Sequence, residues 1–70
     1  KDLSKLRLVM YENKKIIIYN YNKLNQINDE NISVDKYYIK GDDLKIKELD
    51  GYQVIISGII KEISYDEIHH

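Results

Sequence analysis

The sequence predicts a small all-β domain, and three observations carry that prediction. The 70 residues include no alanine or proline and are rich in Ile, Tyr, Lys and Asn. Ile, Val and Tyr favour half-buried pleated surfaces, and alanine is the best helix former. From about residue 36 onward, apolar and polar side chains alternate with the period of a strand. Gly41, Gly51 and Gly58 punctuate the same stretch. The expected architecture is an antiparallel meander that curls into a sandwich or barrel. A short β-solenoid is the alternative, because "IKG" at 39–41 is echoed by "ISG" at 56–58.

The elements follow in chain order. In residues 3–10, "LSKLRLVM", Leu3, Leu6 and Met10 share a helical face, whereas Leu6, Leu8 and Met10 share a strand face. Both readings stand. "KKIIIYNY" at 14–21 reads as a strand, with Ile16, Ile18 and Asn20 on one side and Ile17, Tyr19 and Tyr21 on the other. In "NKLNQINDEN" (22–31), a short strand precedes a turn at Asn28-Asp29, since Asn and Asp bond their own backbone in turns. "NISVD" at 31–35 is a further short strand.

The last third divides at its glycines. A two-residue turn at Gly41-Asp42 sets Lys40 opposite Asp43, Ile39 opposite Leu44 and Tyr37 opposite Ile46, with the apolar residues on one face. Asp50-Gly51 is a type I′ hairpin signal that expects Gly51 at positive φ. Closure there pairs Leu49 with Tyr52, Glu48 with Gln53 and Ile46 with Ile55. The strands are then about 36–40, 43–49 and 52–65, with a bulge at the interior Gly58. These three glycines are the predicted structural turns.

Length and composition narrow the function classes. Seventy residues make one domain at most; residues 1–68 are assigned to it. His69 and His70 read as a remnant of a purification tag, and Lys1 in place of an initiator methionine suits an excised fragment. There is no cysteine, which excludes disulfides and thiolate metal sites. Eleven basic and twelve acidic residues give a net charge of −1. That balance gives no field to attract nucleic acid or an anionic membrane. No apolar run approaches the ~20 residues of a membrane helix, so no direct membrane insertion is expected.

No motif in the chain specifies catalysis. The carboxylate clusters, "NDE" at 28–30 and "GDD" at 41–43, are too short for a calcium loop and read as solvated turns. A hydrolytic site would have to come from Asp29, Glu30, Asp42 or Asp43. The only histidines are terminal, so no Ser–His or Cys–His pair exists. The glycines are too far apart for a phosphate-binding loop. Tyr37 and Tyr38, with Lys36 and Lys40, would make a stacking platform for single-stranded nucleic acid only within a basic groove. No catalytic residue, metal or cofactor is expected.

The stretch "VIISGII" (54–60) is apolar on both faces. Val54, Ile56 and Ile60 form one face, and Ile55 and Ile59 form the other. A half-solvated strand should be apolar on one side only. A cysteine-free chain of this size needs help with stability. These five residues are therefore expected to form a homotypic or partner interface, unless the strand is the centre of a closed barrel.

The chain also resembles a known family. The segments "NY" at 20–21, "DENISV" at 29–34, "YIKGDDLKIKEL" at 38–49 and "VIISGIIKEISY" at 54–65 are similar to the YabP/YqfC family of sporulation proteins, the YqfC branch in particular. The family pattern falls on Ile39 and Gly41, Leu44 and Ile46, Ile56, Gly58 and Ile60, then Ile63 and Tyr65. "YNKL" at 21–24 departs from it, because the family often has a glycine before the apolar residue. The resemblance implies a non-enzymatic protein of endospore formation. It would act in the mother-cell cytoplasm or at the forespore surface, as a homo-oligomer or with other spore-assembly or membrane proteins. It implies no catalytic residues. A small β-barrel binding module for nucleic acid or peptide is the alternative reading.

Overall fold

The computed structural model describes residues 5–66. They form six strands: β1 (Arg7–Tyr11), β2 (Lys15–Tyr19), β3 (Leu24–Ile27), β4 (Asn31–Val34), β5 (Tyr37–Leu49) and β6 (Gln53–Tyr65). All lie in one sheet of order β1-β2-β6-β5-β4-β3, with every neighbouring pair antiparallel. Strands β3 to β6 are the expected meander, and the β1–β2 hairpin joins β6 from the other side. The antiparallel sheet excludes a β-solenoid for these residues, since solenoid strands stack in parallel. The ambiguity over residues 3–10 resolves to a strand from Arg7; Leu3 lies outside the described residues.

The long β5–β6 hairpin is the spine, and its two halves carry different neighbours. β2 pairs with Gln53–Ser57 of β6, and β4 pairs with Tyr37–Lys40 of β5. Between these halves the β5–β6 register shifts at Lys40/Gly41 and again between Asp42 and Lys45. Asp43 sits there at φ 53° and Gly58 at φ 138°. Asp43 and Leu44 together oppose Gly58, which is a β-bulge. A bulge bends the strand and strengthens its twist.

The bend folds the sheet over itself. A four-residue connection, Asn20–Lys23, joins β2 to β3. Its five Cα steps reach ~18 Å at most. In a flat sheet β2 and β3 would lie four strand spacings apart, ~19 Å. Folding removes the mismatch, and the Tyr21 hydroxyl then donates to the Asp50 carbonyl at 2.8 Å across the fold. The smallest dimension of the molecule, 20 Å, suits two layers, which stack ~10 Å apart. Between the halves lies one core. Ile16, Ile18, Val54 and Ile56 meet Ile32, Val34 and Ile39, with Leu44 and Ile60 at the bend. All nine are buried.

Backbone groups released at the bend find partners in two hairpin turns. The β1–β2 turn holds β6: Gly58 N donates to Lys14 O at 3.1 Å and Ile60 N to Asn13 O at 3.0 Å. The β3–β4 turn holds β5: Gly41 N donates to Glu30 O at 3.1 Å and Leu44 N to Asp29 O at 2.9 Å. As expected, Asn28 makes the latter turn, its Oδ1 accepting from the amides of Glu30 (2.9 Å) and Asn31 (2.8 Å). These bonds replace ladder bonds that the bulges interrupt.

Two turn expectations are corrected. Gly41 and Asp42 form no turn; they pair with Ile60 and Ile59 inside a continuous β5. A bulge and a turn both shift the apolar phase, so the step from Ile39 to Leu44 fits either. Glycine is required at 41 because a Cβ there would collide with the Ile59 carbonyl oxygen. Lys40 consequently faces Glu62 rather than Asp43. The hairpin near Asp50-Gly51 exists, but its loop is wider. Leu49 pairs with Val54 and Ile46 with Ile56. Asp50 closes the loop: its Oδ1 accepts from the amides of Tyr52 (2.9 Å) and Gln53 (3.0 Å), and its own N–H donates to Gln53 O at 3.0 Å. With this closure Gly51 does not adopt positive φ.

The strand expected at 14–21 ends at Tyr19. Asn20, at φ 61°, turns the chain and carries Tyr21 to the core side. Asp35 pins the segment that follows. It sits at φ 53° between β4 and β5, and its carboxylate accepts from the amides of Asn22 and Lys23, each at 3.0 Å. Replacing it with alanine removes both acceptors and leaves a poorer residue for positive φ. Asp35→Ala is expected to cost about 1–2 kcal/mol, read as a lower urea midpoint. An unchanged midpoint would show that the pin is dispensable.

Candidate interaction surfaces

The five residues expected at an interface divide by face. Val54, Ile56 and Ile60 point into the core of the single chain, at 0%, 0% and 6% exposure. Ile55 and Ile59 point outward, Ile55 half-buried and Ile59 56% exposed. The strand is apolar on both faces because it is an inner strand of the sheet, covered on one side by the folded-over half. Only Ile55 and Ile59 remain available to a partner.

Ile55 continues an outward row. Val9 lies opposite Ile17, and Ile17 opposite Ile55. Aromatic and cationic side chains flank the row. The Arg7 guanidinium lies 4.8 Å from the centre of the Tyr19 ring, and the Lys15 ammonium 5.2 Å from that of Tyr11. Cation–π contacts at exposed sites contribute modestly, about 0.5–1 kcal/mol. A shallow groove of about 520 Å³ continues the surface past Arg7, lined by Lys5, Leu6, Tyr19, Tyr52 and Gln53 among others.

The β3–β4 turn carrying Asp29 and Glu30 is backbone-bonded to β5 at Gly41 and Leu44, on either side of Asp42 and Asp43. None of these four carboxylates lines the three main grooves of the described residues. Among the described residues, no group of three or more carboxylate or histidine side chains is placed to hold a metal. Asp42 instead pairs with Lys61 at 2.9 Å. That hydrogen bond and the Asp42 charge raise the Lys61 pKa above its ordinary 10.5, with a smaller contribution from Glu30. A raised lysine pKa stabilises the fold below the ordinary value and loses that effect as pH climbs through the raised one. The pair is solvent-exposed and sets no pH dependence near neutrality.

The tyrosine platform does not form. Tyr37 and Tyr38 occupy opposite faces of β5. Tyr37 packs edge-on against Tyr65, with centroids 4.8 Å apart. Tyr38 is exposed on the outer face with Lys40, which sits opposite Glu62.

The sheet's free edges were not anticipated from the sequence. β1 and β3 are its outermost strands. The signal that was available is the missing edge protection. Natural edges are blunted with lysine, proline or bulges. β1, "RLVMY", has one arginine; β3, "LNQI", has no charge at all and a single irregularity between Leu24 and Gln26. Met10 and Ile27 are exposed on these edges at 43% and 57%.

These features define a class: an all-β domain made of one folded-over antiparallel sheet whose edge strands, β1 and β3, each pair with a single neighbour among the described residues. No helix long and apolar enough to cross a membrane occurs among the described residues. The model of the YabP family matches residues 2–70, and the chain belongs to that family. No curated protein and no solved structure matches significantly.

Proposed function

We propose that this protein is a non-enzymatic structural or assembly protein of endospore formation that works through protein–protein contacts. The observation that carries the reading is the family match across residues 2–70. The geometry supports it. Exposed apolar and aromatic side chains lie on strand edges and on the outer face, the usual places for protein contacts. Asp29 and Glu30 lie on an exposed turn, and Asp42 and Asp43 in the bulged stretch of β5. In this reading the protein acts in the mother-cell cytoplasm or at the forespore surface, with itself or with other spore-assembly or membrane proteins. It carries no catalysis and no resident cofactor.

The alternative is a small β-barrel module that binds nucleic acid or peptide; its nucleic-acid form loses its main support because Tyr37 and Tyr38 diverge. Cross-linking in sporulating cells followed by purification of the tagged protein separates the two. Recovery of spore-envelope or mother-cell membrane proteins is the expected result. Recovery of nucleic acid alone would favour the binding module.

A further inference from the structure

We propose that the protein joins copies of itself head to tail, with β1 of one copy pairing with β3 of the next. The inference rests on the reading above, that the protein works through protein contacts, and it names the surfaces and the partner. Three features of the fold point to it.

The first is topology. Six strands, an even number and all antiparallel, leave β1 and β3 running in opposite directions at the two ends of the sheet. A second copy can therefore set its β1 beside β3 and continue the antiparallel alternation with both inner faces on the same side. The second feature is apolar continuity. Met10 lies opposite the core residue Ile16, and Ile27 opposite the core residue Ile32. Both belong to the inner face, yet both are open at the edges.

The third feature is charge, which favours a different edge over a second copy of the same one. Residues 5–19 carry Lys5, Arg7, Lys14 and Lys15 against Glu12, a net +3. Residues 24–34 carry Asp29 and Glu30 and no cation, a net −2. In an antiparallel pairing the residues entering β1 meet those leaving β3. One register that matches inner residue to inner residue sets Leu8 against Ile27. It also brings Lys5 and Arg7 against the Asn28–Glu30 turn. Lys61, which feels the Glu30 charge, is already paired with Asp42. A β1–β1 dimer would instead bring two basic hairpins together. Because the two edges differ, the contact is heterologous and does not close on itself by two-fold symmetry.

Light scattering on purified protein, at low and high salt, is the test. The unmodified chain should grow beyond a dimer as concentration rises, and less so at high salt. Lys5→Glu with Arg7→Glu should be monomeric, and so should Asp29→Lys with Glu30→Lys. Each should keep the circular dichroism of the parent. An equimolar mixture of the two double variants should regain assembly, since each then offers the charge the other needs. A parent that stays monomeric to its solubility limit would overturn the proposal. So would growth that stops at a dimer and ignores the change at Asp29 and Glu30, or a mixture that fails to recover. Cross-linked partners recovered from sporulating cells alongside a monomeric purified protein would remove this inference and leave the assembly role standing.

Discussion

Gly58→Ala should unfold much of the protein at temperatures where the parent is native. At φ 138° an alanine is strained, and its Cβ would sit 2.6 Å from the Asp43 carbonyl oxygen and 2.9 Å from the Leu44 Cα. Those atoms are backbone in the opposing bulge and cannot rotate away. Gly41→Ala meets the Ile59 carbonyl oxygen in the same bend. Each change is expected to cost about 2–4 kcal/mol. A chain of this length is held by roughly 4–10 kcal/mol in all. For so small a domain each kcal/mol lowers the midpoint by ~4–8 °C, so the loss should be obvious in a thermal melt. Gly51→Ala is the control. Nothing lies within 4 Å of a Cβ at Gly51, and its melt should match the parent's. If Gly58→Ala also melted like the parent, the bend would not depend on glycine.

Ile56→Lys should abolish the fold. Ile56 is fully buried, directly opposite Ile16 in β2 and Ile46 in β5. The substitution forfeits a packed side chain, about 2–5 kcal/mol for a core truncation. It also buries an ammonium with no carboxylate among the core residues to pair it, a further several kcal/mol. The sum approaches or exceeds the whole stability. Ile59→Lys, on the exposed outer face, should keep the β-sheet signal and melt within a few degrees of the parent. A folded Ile56→Lys variant of reduced mass would return Ile56 to an interface and contradict the burial described above.

The contrast between Ile56 and Ile59 shows what the sequence could convey. Strict alternation assigned Val54, Ile56 and Ile60 to one face and Ile55 and Ile59 to the other, and that division holds. Which face is covered depends on a fold-over that alternation does not encode. The same limit explains Gly41. "IKGDDL" shifts its apolar phase where a turn would, and only the long-range pairing of β5 with β6 distinguishes a bulge from a reversal. Asp50-Gly51 marked the right hairpin, but the Asp50 side chain, rather than glycine geometry, closes the loop. The free edges were invisible for a related reason. β1 and β3 become outermost because β2 pairs with β6, nearly forty residues away in sequence. The family resemblance, by contrast, rests on glycine and isoleucine spacings that are local, and it was legible.

The central claim is an assembly role in spore formation, and a count of heat-resistant spores tests it most directly. The count compares the parent strain, a strain lacking the gene, and the deletion complemented by the unmodified gene or by Gly58→Ala. An assembly role predicts few resistant spores without the gene, recovery with the unmodified copy and no recovery with Gly58→Ala, at equal vegetative growth. An undiminished count in the deletion strain would contradict it.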